Sequence, residues 1–213
     1  MSNTKIIIQA RTGSTRLPRK MILPFYENEG IFSLLLKKLT SAFDKNDIIL
    51  ATSVNENNDV LVEIAEKYGI NYFRGSENDV LQRFIDAAKE FNAENIIRVC
   101  ADNPFLDIFY IRLLIEKFEK FNCDYLSYIT SDGTPSIKTH YGFWAEAVKL
   151  SALEKVKSLT DENLYHEHVT NFIYANREIF DVNFFEIIPE IDRHKDIRLT
   201  IDTPADMENA SRL

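Results

Sequence analysis

The sequence is poor in cysteine and has no excess of positive charge. Its only two cysteines, Cys100 and Cys123, each lie in an apolar, strand-like run, which favours free buried thiols in a reducing compartment over a disulfide or a metal pair. The net charge of −8 excludes general binding to nucleic acid or to an anionic membrane, because a basic excess supplies most of the affinity for those partners. A protein this acidic can handle a polyanion only with a few local cations or a metal ion.

Long hydrophobic runs are also missing. No run approaches the length that crosses a membrane, and the apolar stretch that follows Lys5 is too short for a signal peptide. We therefore expect a cytoplasmic protein without a membrane partner. Linker-like, low-complexity and repeated segments are absent, and 45% of the residues are hydrophobic, which is enough for a sizeable core. These features predict a single domain over residues 1–213.

Short apolar runs alternate with longer amphipathic runs over the first part of the chain. The apolar runs are mostly continuous, as strands covered on both faces should be. The predicted strands are 5–10, 47–53, 70–73, 95–100 and 124–128, and the predicted helices between them are 31–43, 56–68, 78–91 and 107–121. This repetition predicts an α/β protein in which helices cover both faces of a mostly parallel sheet.

The pattern changes after residue 128. A turn-rich segment leads into a run over 140–150, and we then predict helices at 151–158 and 162–175 and strands at 183–188 and 197–201. Asn55, Asp107 and Thr203 are the predicted helix caps, Gly69 is a predicted helix stop, and Pro204 is the predicted first residue of the last helix.

Ligands of open parallel sheets bind beyond the carboxyl ends of the strands, and a basic loop follows the first strand. Residues 9–20 (QARTGSTRLPRK) carry small and hydroxyl side chains and four cations, Arg11, Arg16, Arg19 and Lys20. Backbone N–H groups in such a turn can surround an anion, and the cations can neutralise a triphosphate. The loop matches neither of the common glycine-rich phosphate motifs. We favour phosphate binding over a solvated basic loop, because the loop follows a buried strand in an acidic protein.

Two acidic residues follow apolar runs far apart in the sequence. Asp102 ends the run in segment 98–107, and Asp202 ends the run in segment 198–206. Asp-Asn-Pro is also ordinary turn chemistry, so spacing alone fits Asp102 equally well as a turn residue. Acids at the ends of two strands can converge on one hard cation. A pair of acids opposite a cationic loop predicts a site for a metal–nucleotide complex.

Five segments in order resemble the spore-coat polysaccharide type of cytidylyltransferase, which is related to the CMP-KDO and CMP-acylneuraminate synthetases. They are the basic loop, 73–84 (FRGSENDVLQRF), 98–107 (RVCADNPFLD), 165–170 (YHEHVT) and 198–208 (RLTIDTPADME). The resemblance implies the nucleotide-diphospho-sugar transferase fold, a three-layer α/β/α sandwich around a mostly parallel, mixed sheet. It also implies transfer of CMP from CTP to a small sugar-like acceptor, with release of pyrophosphate.

The same resemblance implies roles for individual residues. Asp102 and Asp202 would bind Mg²⁺, and Arg11, Arg16 and Lys20 would act on the triphosphate in catalysis. The residues implied for CTP binding are Ala10, Arg11, Thr12, Gly13 and Ser14 in the loop, with Arg74, Ser76, Asp79 and Arg83 for cytidine. For the acceptor we predict Lys138, His140, Tyr141, Trp144, Glu146 and His168, although an aromatic core explains Tyr141 and Trp144 as well.

The chain departs from that family at several points. Arg19 stands where the family usually has glycine, so it costs strain if the backbone there has positive φ. The chain ends soon after Asp202, where relatives often continue, so we expect a homodimer only if no dimer-forming tail is required. Segment 138–146 differs from the nonulosonate enzymes, which leaves the acceptor open. An acidic sugar such as a nonulosonate or KDO is the first choice, and a phosphorylated small molecule that gives a CDP-linked product is the alternative.

Three other interpretations are weaker. A glycosyltransferase on the same scaffold would carry Asp-x-Asp where this chain has Ala-Asp-Asn, and a non-catalytic nucleotide-binding protein would not need two convergent acids. A shared metal at His166 and His168 is disfavoured, because residues two apart on a helix point to nearly opposite sides. On that helix His168 would lie with Leu164 and Phe172, as a core or pocket-wall residue.

Overall fold

The computed structural model describes residues 3–213, and its centre is a mixed β-sheet. The strands are β1 (Thr4–Gln9), β2 (Pro24–Tyr26), β3 (Glu29–Gly30), β4 (Ile48–Ser53), β5 (Asn71–Gly75), β6 (Asn95–Cys100), β7 (Tyr125–Ile129), β8 (Glu146–Lys149) and β9 (Val182–Glu186). Strands β2 and β3 form a separate hairpin, and the other seven form one sheet in the order β5-β4-β1-β6-β8-β7-β9. Strands β5, β4, β1 and β6 are parallel, whereas β8 runs antiparallel to both of its neighbours and β9 runs parallel to β7.

Helices cover both faces of this sheet. They are α1 (Ile31–Ala42), α2 (Asp59–Tyr68), α3 (Val80–Glu90), α4 (Ile108–Phe121), α5 (Leu150–Leu159), α6 (Asn163–Glu167), α7 (Asn171–Ala175), α8 (Pro189–Asp192) and α9 (Pro204–Ala210), with 3₁₀ turns at Lys45–Asp47, Glu56–Asn58 and Ser136–Lys138. Helices α1, α2 and α4 share one hydrophobic core, and α3, α5 and α7 share the other. The predicted three-layer α/β/α sandwich is therefore confirmed.

The continuous apolar runs are explained by these two cores. Successive side chains of a strand point to opposite faces, so Ile6 and Ile8 of β1 enter one core while Ile7 enters the other. The five strands predicted in the first part of the chain are confirmed with shifted ends, and 183–188 corresponds to β9.

Most of the predicted helix boundaries are also confirmed. The Asp107 side chain accepts the Phe109 N–H at the start of α4, and Gly69 ends α2 in the left-handed conformation with φ +72°. Thr203 caps α9 and Pro204 is its first residue, as expected. The Asn55 side chain caps the 3₁₀ turn that precedes α2. Among residues 3–213, no helix is long and apolar enough to span a bilayer.

Two predicted elements are wrong. The helix expected at 162–175 is two short helices, because Thr170 turns inward and its hydroxyl donates to Glu146 Oε1 at 2.8 Å. The strand expected at 197–201 is an irregular segment. Its backbone N–H groups donate to two separate places, those of Leu199 and Thr200 to the His140 carbonyl and that of Ile201 to the Asp102 carbonyl, so no ladder forms.

Candidate active site

The basic loop leaves β1 at the carboxyl edge of the sheet and is tied down at Thr12. The Thr12 backbone N–H donates to Asn58 Oδ1 at 2.8 Å, and the Thr12 hydroxyl donates to the same oxygen at 3.1 Å. The Asn58 amide in turn donates to Ser53 Oγ at 2.7 Å, at the end of β4. The loop closes where the Arg19 N–H donates to the Thr12 carbonyl at 3.0 Å. Arg19 has φ +60°, so it occupies a conformation that glycine adopts without strain.

The two acidic residues singled out in the sequence meet at Lys20. Its Nζ lies 2.9 Å from Asp102 Oδ2 and 3.5 Å from Asp202 Oδ1. The same ammonium donates to the Ile201 carbonyl at 2.6 Å. The Lys20 side chain is only 9% exposed, so these contacts hold it in place. Residues from the first loop, from the end of β6 and from the irregular segment before α9 are thus brought together.

Asp202 is held by two further cations and a neighbouring acid. Its Oδ1 accepts from Arg16 Nη2 at 2.7 Å, and its Oδ2 accepts from Arg198 Nη2 at 3.1 Å. Asp206 accepts the Asp202 N–H at 3.0 Å and pairs with Arg198 Nε at 2.6 Å. Burial opposes the ionisation of Asp206, but hydrogen bonds from Arg198 and Thr203 lower its pKa to about 2. Asp206 therefore stays charged and fixes the backbone of Asp202, a role that we did not predict.

The donor set at this point suits a hard divalent cation. Carboxylate oxygens are the ligands that Mg²⁺ takes from proteins, and one or two carboxylates with substrate phosphates are its usual set. Within residues 3–213 there is no group of three or more His, Cys, Asp or Glu side chains arranged for a metal ion. The Asp102–Asp202 pair therefore fits a metal that arrives with phosphate oxygens better than a metal held by protein alone.

Two adjoining cavities open on either side of the acid pair. The loop cavity, about 300 Å³, is lined by Gln9, Ala10, Arg11, Ser14, Thr15, Arg16, Lys20, Met21, Cys100, Asp102, Glu167 and Asp202. The second, which we call the His168 cavity, is about 330 Å³ and is lined among others by Arg98, Asn103, Lys138, His140, Trp144 and His168. The two cavities share Gln9, Cys100, Asp102 and Asp202. Burial raises the pKa of the Cys100 thiol to about 11, so it is not a nucleophile at neutral pH.

The four residues predicted for cytidine lie beside the loop cavity but not among its lining residues. Arg74 pairs with Asp59 at 2.6 Å and donates to the carbonyls of residues 53–55. The Ser76 hydroxyl accepts the Asp79 N–H at 3.0 Å, and Asp79 caps α3. Arg83 is fully buried and donates to the Ser76 carbonyl at 2.6 Å, and burial lowers its pKa to about 10.

The turn at 76–79 also lies near the basic loop. A Cβ atom at Gly13 would lie 4.0 Å from Glu77 Oε1, so the exposed Gly13 and the 76–79 turn face each other closely. Ser14, by contrast, turns back into its own loop, where its hydroxyl accepts the Leu17 N–H at 3.3 Å.

Four of the six residues predicted for the acceptor line the His168 cavity, and two do not. Lys138, His140, Trp144 and His168 are at its wall. Tyr141 is buried in the hydrophobic core and packs edge-on against Trp144, with ring centroids 5.8 Å apart. Glu146 is buried too, and its carboxylate faces the protein interior. Tyr141 thus lies in the aromatic core, the alternative that the sequence also allowed, and Glu146 begins β8 with its side chain buried, so neither residue lines the His168 cavity.

Glu146 instead holds Arg98, a wall residue of the His168 cavity that was not predicted. Arg98 Nη1 pairs with Glu146 Oε2, and Arg98 Nη2 donates to Gln9 Oε1 at 3.0 Å. Glu146 Oε1 accepts from the Tyr125 hydroxyl at 2.5 Å and from Thr170. The signal was present in the sequence: one cation interrupts the apolar run of β6 and one acid begins β8, and the two are paired in the strand register.

The sequence model of the cytidylyltransferase family matches residues 5–213. The chain belongs to that family. It is therefore an enzyme, a nucleotidyltransferase of the cytidylyltransferase class. The spore coat polysaccharide biosynthesis protein SpsF of Bacillus subtilis is 35% identical over 219 residues, which cover 100% of this chain and 87% of SpsF.

Solved structures agree with this assignment. A cytidylyltransferase from Leptospira borgpetersenii superposes with a TM-score of 0.88 at 31% identity, covering 99% of this chain and 86% of that one. A CMP:2-keto-3-deoxy-manno-octonic acid synthetase, solved with CTP, gives a TM-score of 0.73 at 14% identity, covering 99% and 98%. This second similarity concerns the fold alone and identifies it as the nucleotide-diphospho-sugar transferase type.

In this cytidylyltransferase the short helix α6 connects the two cavities. His166 is buried, with Nδ1 3.0 Å from Asp79 Oδ2 and Nε2 3.0 Å from the Thr160 carbonyl, so it fastens α6 to the start of α3. The next two residues then reach the cavities: Glu167 lies 3.6 Å from Arg11, and His168 gives the second cavity its wall. His168 caps the end of α6, where its N–H donates to the Leu164 carbonyl at 3.0 Å, and the two residues line one cavity, as expected. Phe172 does not continue that helix, because it belongs to α7.

Proposed function

We propose that this cytidylyltransferase moves CMP from CTP to an acidic sugar-like acceptor, with Mg²⁺ as cofactor and release of pyrophosphate. The observation that carries the proposal is the convergence of Asp102 and Asp202 on Lys20 between two cavities. The name of the relative SpsF supports a place in the synthesis of a surface polysaccharide or glycoconjugate. Both cysteines are free thiols, which supports a cytoplasmic enzyme.

The loop cavity would hold the triphosphate. Arg11, Arg16 and Lys20 line it and would neutralise charge on the phosphates, while the backbone N–H groups of Arg11 and Gly13 would contribute donors. An acceptor oxygen attacks the α-phosphorus, a new oxygen–phosphorus bond forms, and the bond to the pyrophosphate oxygen breaks. Positioning and charge neutralisation dominate this kind of transfer. Mg²⁺ on Asp102 and Asp202 would supply charge neutralisation at the phosphates.

Cytidine would lie against the turn that follows β5, with Arg74, Ser76, Asp79 and Arg83. The position of this turn, with the Glu77 side chain near Gly13 of the basic loop, supports the assignment. Within the described residues, two nitrogens of the buried Arg83, Nε and Nη2, have no hydrogen-bond partner. Unpaired buried donors are costly, and a cytosine base offers acceptors that would remove that cost if the 76–79 turn opens, because Arg83 has no exposed surface.

The acceptor would occupy the His168 cavity, on the other side of the acid pair. The wall residues Lys138, His140 and His168 are cations or become cations on protonation, whereas the only acids in the wall are Asp102 and Asp202 at the shared end. This charge distribution supports an anionic acceptor. It fits a sugar carboxylate, and it also fits the phosphate of the alternative acceptor class, which would give a CDP-linked product.

Two measurements test the proposal. Thermal shift with each of four nucleotides plus Mg²⁺ should show the largest rise in melting temperature for CTP, since a ligand that binds the native state stabilises it. Equal stabilisation by ATP or UTP would contradict the choice of base. Pyrophosphate release should then require CTP, Mg²⁺ and an acceptor, with sugar acids and sugar phosphates as separate arms. A protein that binds CTP but releases no pyrophosphate with any acceptor would be a nucleotide-binding protein without this activity.

A further inference from the structure

Lys20 occupies the point between the two acids that would hold a metal ion. Its Nζ is 2.9 Å from Asp102 Oδ2 and 3.5 Å from Asp202 Oδ1, and the Ile201 carbonyl accepts its third contact at 2.6 Å. The side chain is 9% exposed and follows a tight turn through Arg19, so it is not a freely moving surface lysine. In the structure, the Lys20 ammonium therefore serves both carboxylates as their counter-ion.

Both oxygens of Asp202 also contact arginines. Arg16 Nη2 contacts its Oδ1 at 2.7 Å, and Arg198 Nη2 contacts its Oδ2 at 3.1 Å. A bare divalent ion that entered here would share these carboxylates with cations and would lie beside the positive charge of Lys20. Mg²⁺ also gives up its water reluctantly. Repulsion and lost hydration both oppose binding of the free ion.

We propose that Lys20 keeps the free divalent cation away from the acid pair, so that the metal enters only together with the nucleotide. This inference rests on the proposed function and adds the order of binding to it. A triphosphate brings oxygens to which Lys20 and the exposed Arg16 can transfer their contacts. Asp102 and Asp202 would then be free to hold the ion that arrives with the phosphates.

The exchange conserves charge pairing at each step. Before the exchange, Lys20 and Arg16 pair with carboxylates. After the exchange, they pair with phosphates. Asp102 and Asp202 likewise have a cationic partner before and after. Lys20 is thus a specificity-determining residue that distinguishes the metal–nucleotide complex from the free ion.

Binding of Mn²⁺ to the nucleotide-free protein, followed by the electron paramagnetic resonance signal of the free ion, tests the inference. The wild type should bind Mn²⁺ weakly, and Lys20→Met should bind it at least about tenfold more tightly, because a like charge has gone. Lys20→Arg keeps the charge and should stay weak. Lys37→Met removes a lysine that is 64% exposed and outside both cavities, and it should match the wild type. Combining Lys20→Met with Asp102→Asn should abolish the gain, which places the gained ion at Asp102.

Two results would overturn the inference: Mn²⁺ affinity in the nucleotide-free wild type equal to that of Lys20→Met, or a gain that survives Asp102→Asn. Should Lys20→Met not fold, the wild type alone decides. Mg²⁺ alone should then leave its melting temperature unchanged, while CTP with Mg²⁺ raises it, and a clear rise with Mg²⁺ alone contradicts the inference. Failure of the proposed function would give a different result: CTP with Mg²⁺ would not raise the melting temperature of the wild type. The comparison of Mn²⁺ binding between the wild type and Lys20→Met would still test the inference about Lys20.

Discussion

The two halves of the central sheet position their side chains in different ways. In the half formed by β5, β4, β1 and β6, every strand is parallel and ends at the same edge, so the residue after each strand falls near the site. In the other half, β8 is inserted antiparallel between β6 and β7, and irregular segments complete the edge. In that half, residues that line the His168 cavity are positioned by contacts between loops. For example, the His140 carbonyl accepts the Leu199 and Thr200 N–H groups.

The difference explains where chemistry and specificity lie. The regular half supplies the basic loop, Lys20 and Asp102, which would act on phosphates common to all nucleotides. The irregular half supplies Lys138, His140 and His168, which would act on the acceptor. Loops tolerate change better than strands, so relatives with one phosphate site can differ in acceptor. Asp202 belongs to the irregular half but joins Asp102, so the acid pair links the halves.

Removal of either acid of this pair should have the largest effect on activity. We expect Asp102→Asn and Asp202→Asn each to lower kcat/KM on the order of 10³-fold or more, because Asn keeps the shape but not the charge that a hard cation requires. If both acids serve one ion, the double variant is little worse than either single one. The measurement is kcat/KM with its Mg²⁺ dependence for all four proteins, with melting temperatures as the folding control. Independent losses that simply add would mean that the two halves do not share a metal.

Removal of the Lys20 ammonium, which lies between the two acids, should have the second-largest effect on activity. Lys20→Ala removes a charge-assisted contact to the phosphates, and we expect a loss of about 2–4 kcal/mol in transition-state stabilisation, measured as kcat/KM. Lys37→Ala, on the exposed side of α1, is the matched control and should behave as the wild type. Kinetics of Lys20→Ala close to those of the wild type would remove Lys20 from the site.

In the irregular half, we expect Glu146→Gln to act on stability. The change leaves Arg98 buried without a counter-ion, which should cost about 3 kcal/mol in the free energy of unfolding, measured by urea denaturation. Glu154→Gln breaks the exposed pair with Lys89, 2.7 Å apart, and should cost less than about 1 kcal/mol. Equal effects of the two changes would show that the buried pair does not anchor the wall of the His168 cavity.

The smallest effect should come from Arg19, in the regular half. Arg19→Gly relieves the left-handed conformation at φ +60°, and the net gain after the added freedom of the unfolded chain should be up to about 1 kcal/mol. A rise in melting temperature of a few degrees with nearly unchanged kcat/KM is the expected result. Asn122→Gly, at φ +51°, is the control and should gain less, because asparagine tolerates this conformation. A large loss of activity in Arg19→Gly would instead give the Arg19 guanidinium a role in phosphate binding.

Sequence reasoning succeeded where periodicity determines structure. The strands of the regular half, the caps at Asp107 and Thr203 and the stop at Gly69 follow from local chemistry, and the structure has them. It failed where a tertiary contact overrides the local pattern. The expected helix at 162–175 breaks because Thr170 is drawn to Glu146, a residue distant in sequence.

At the site, too, local pattern was informative only where tertiary contacts did not override it. Asp102 and Asp202 could be proposed because each follows an apolar run. The strand expected before Asp202 is absent, however, and Asp202 is brought to Lys20 by tertiary contacts such as that of the Ile201 N–H with the Asp102 carbonyl. The burial of Glu146 could not be predicted, since the face to which it points depends on the pairing of β8 with β6, which spacing does not encode. Arg98 was missed for the same reason: its counter-ion lies on a strand whose antiparallel insertion the alternating pattern did not indicate.

The pairing of Arg98 with Glu146 has a consequence for assembly of the sheet. These residues are opposite each other in the β6–β8 ladder, and successive side chains of a strand point to opposite faces. A slip of β8 by one residue would turn Glu146 to the other core and bury both charges alone. Only the native alignment lets the two charges neutralise each other, so the pair discriminates against neighbouring alignments of a short strand whose two apolar residues, Ala147 and Val148, would fit either core.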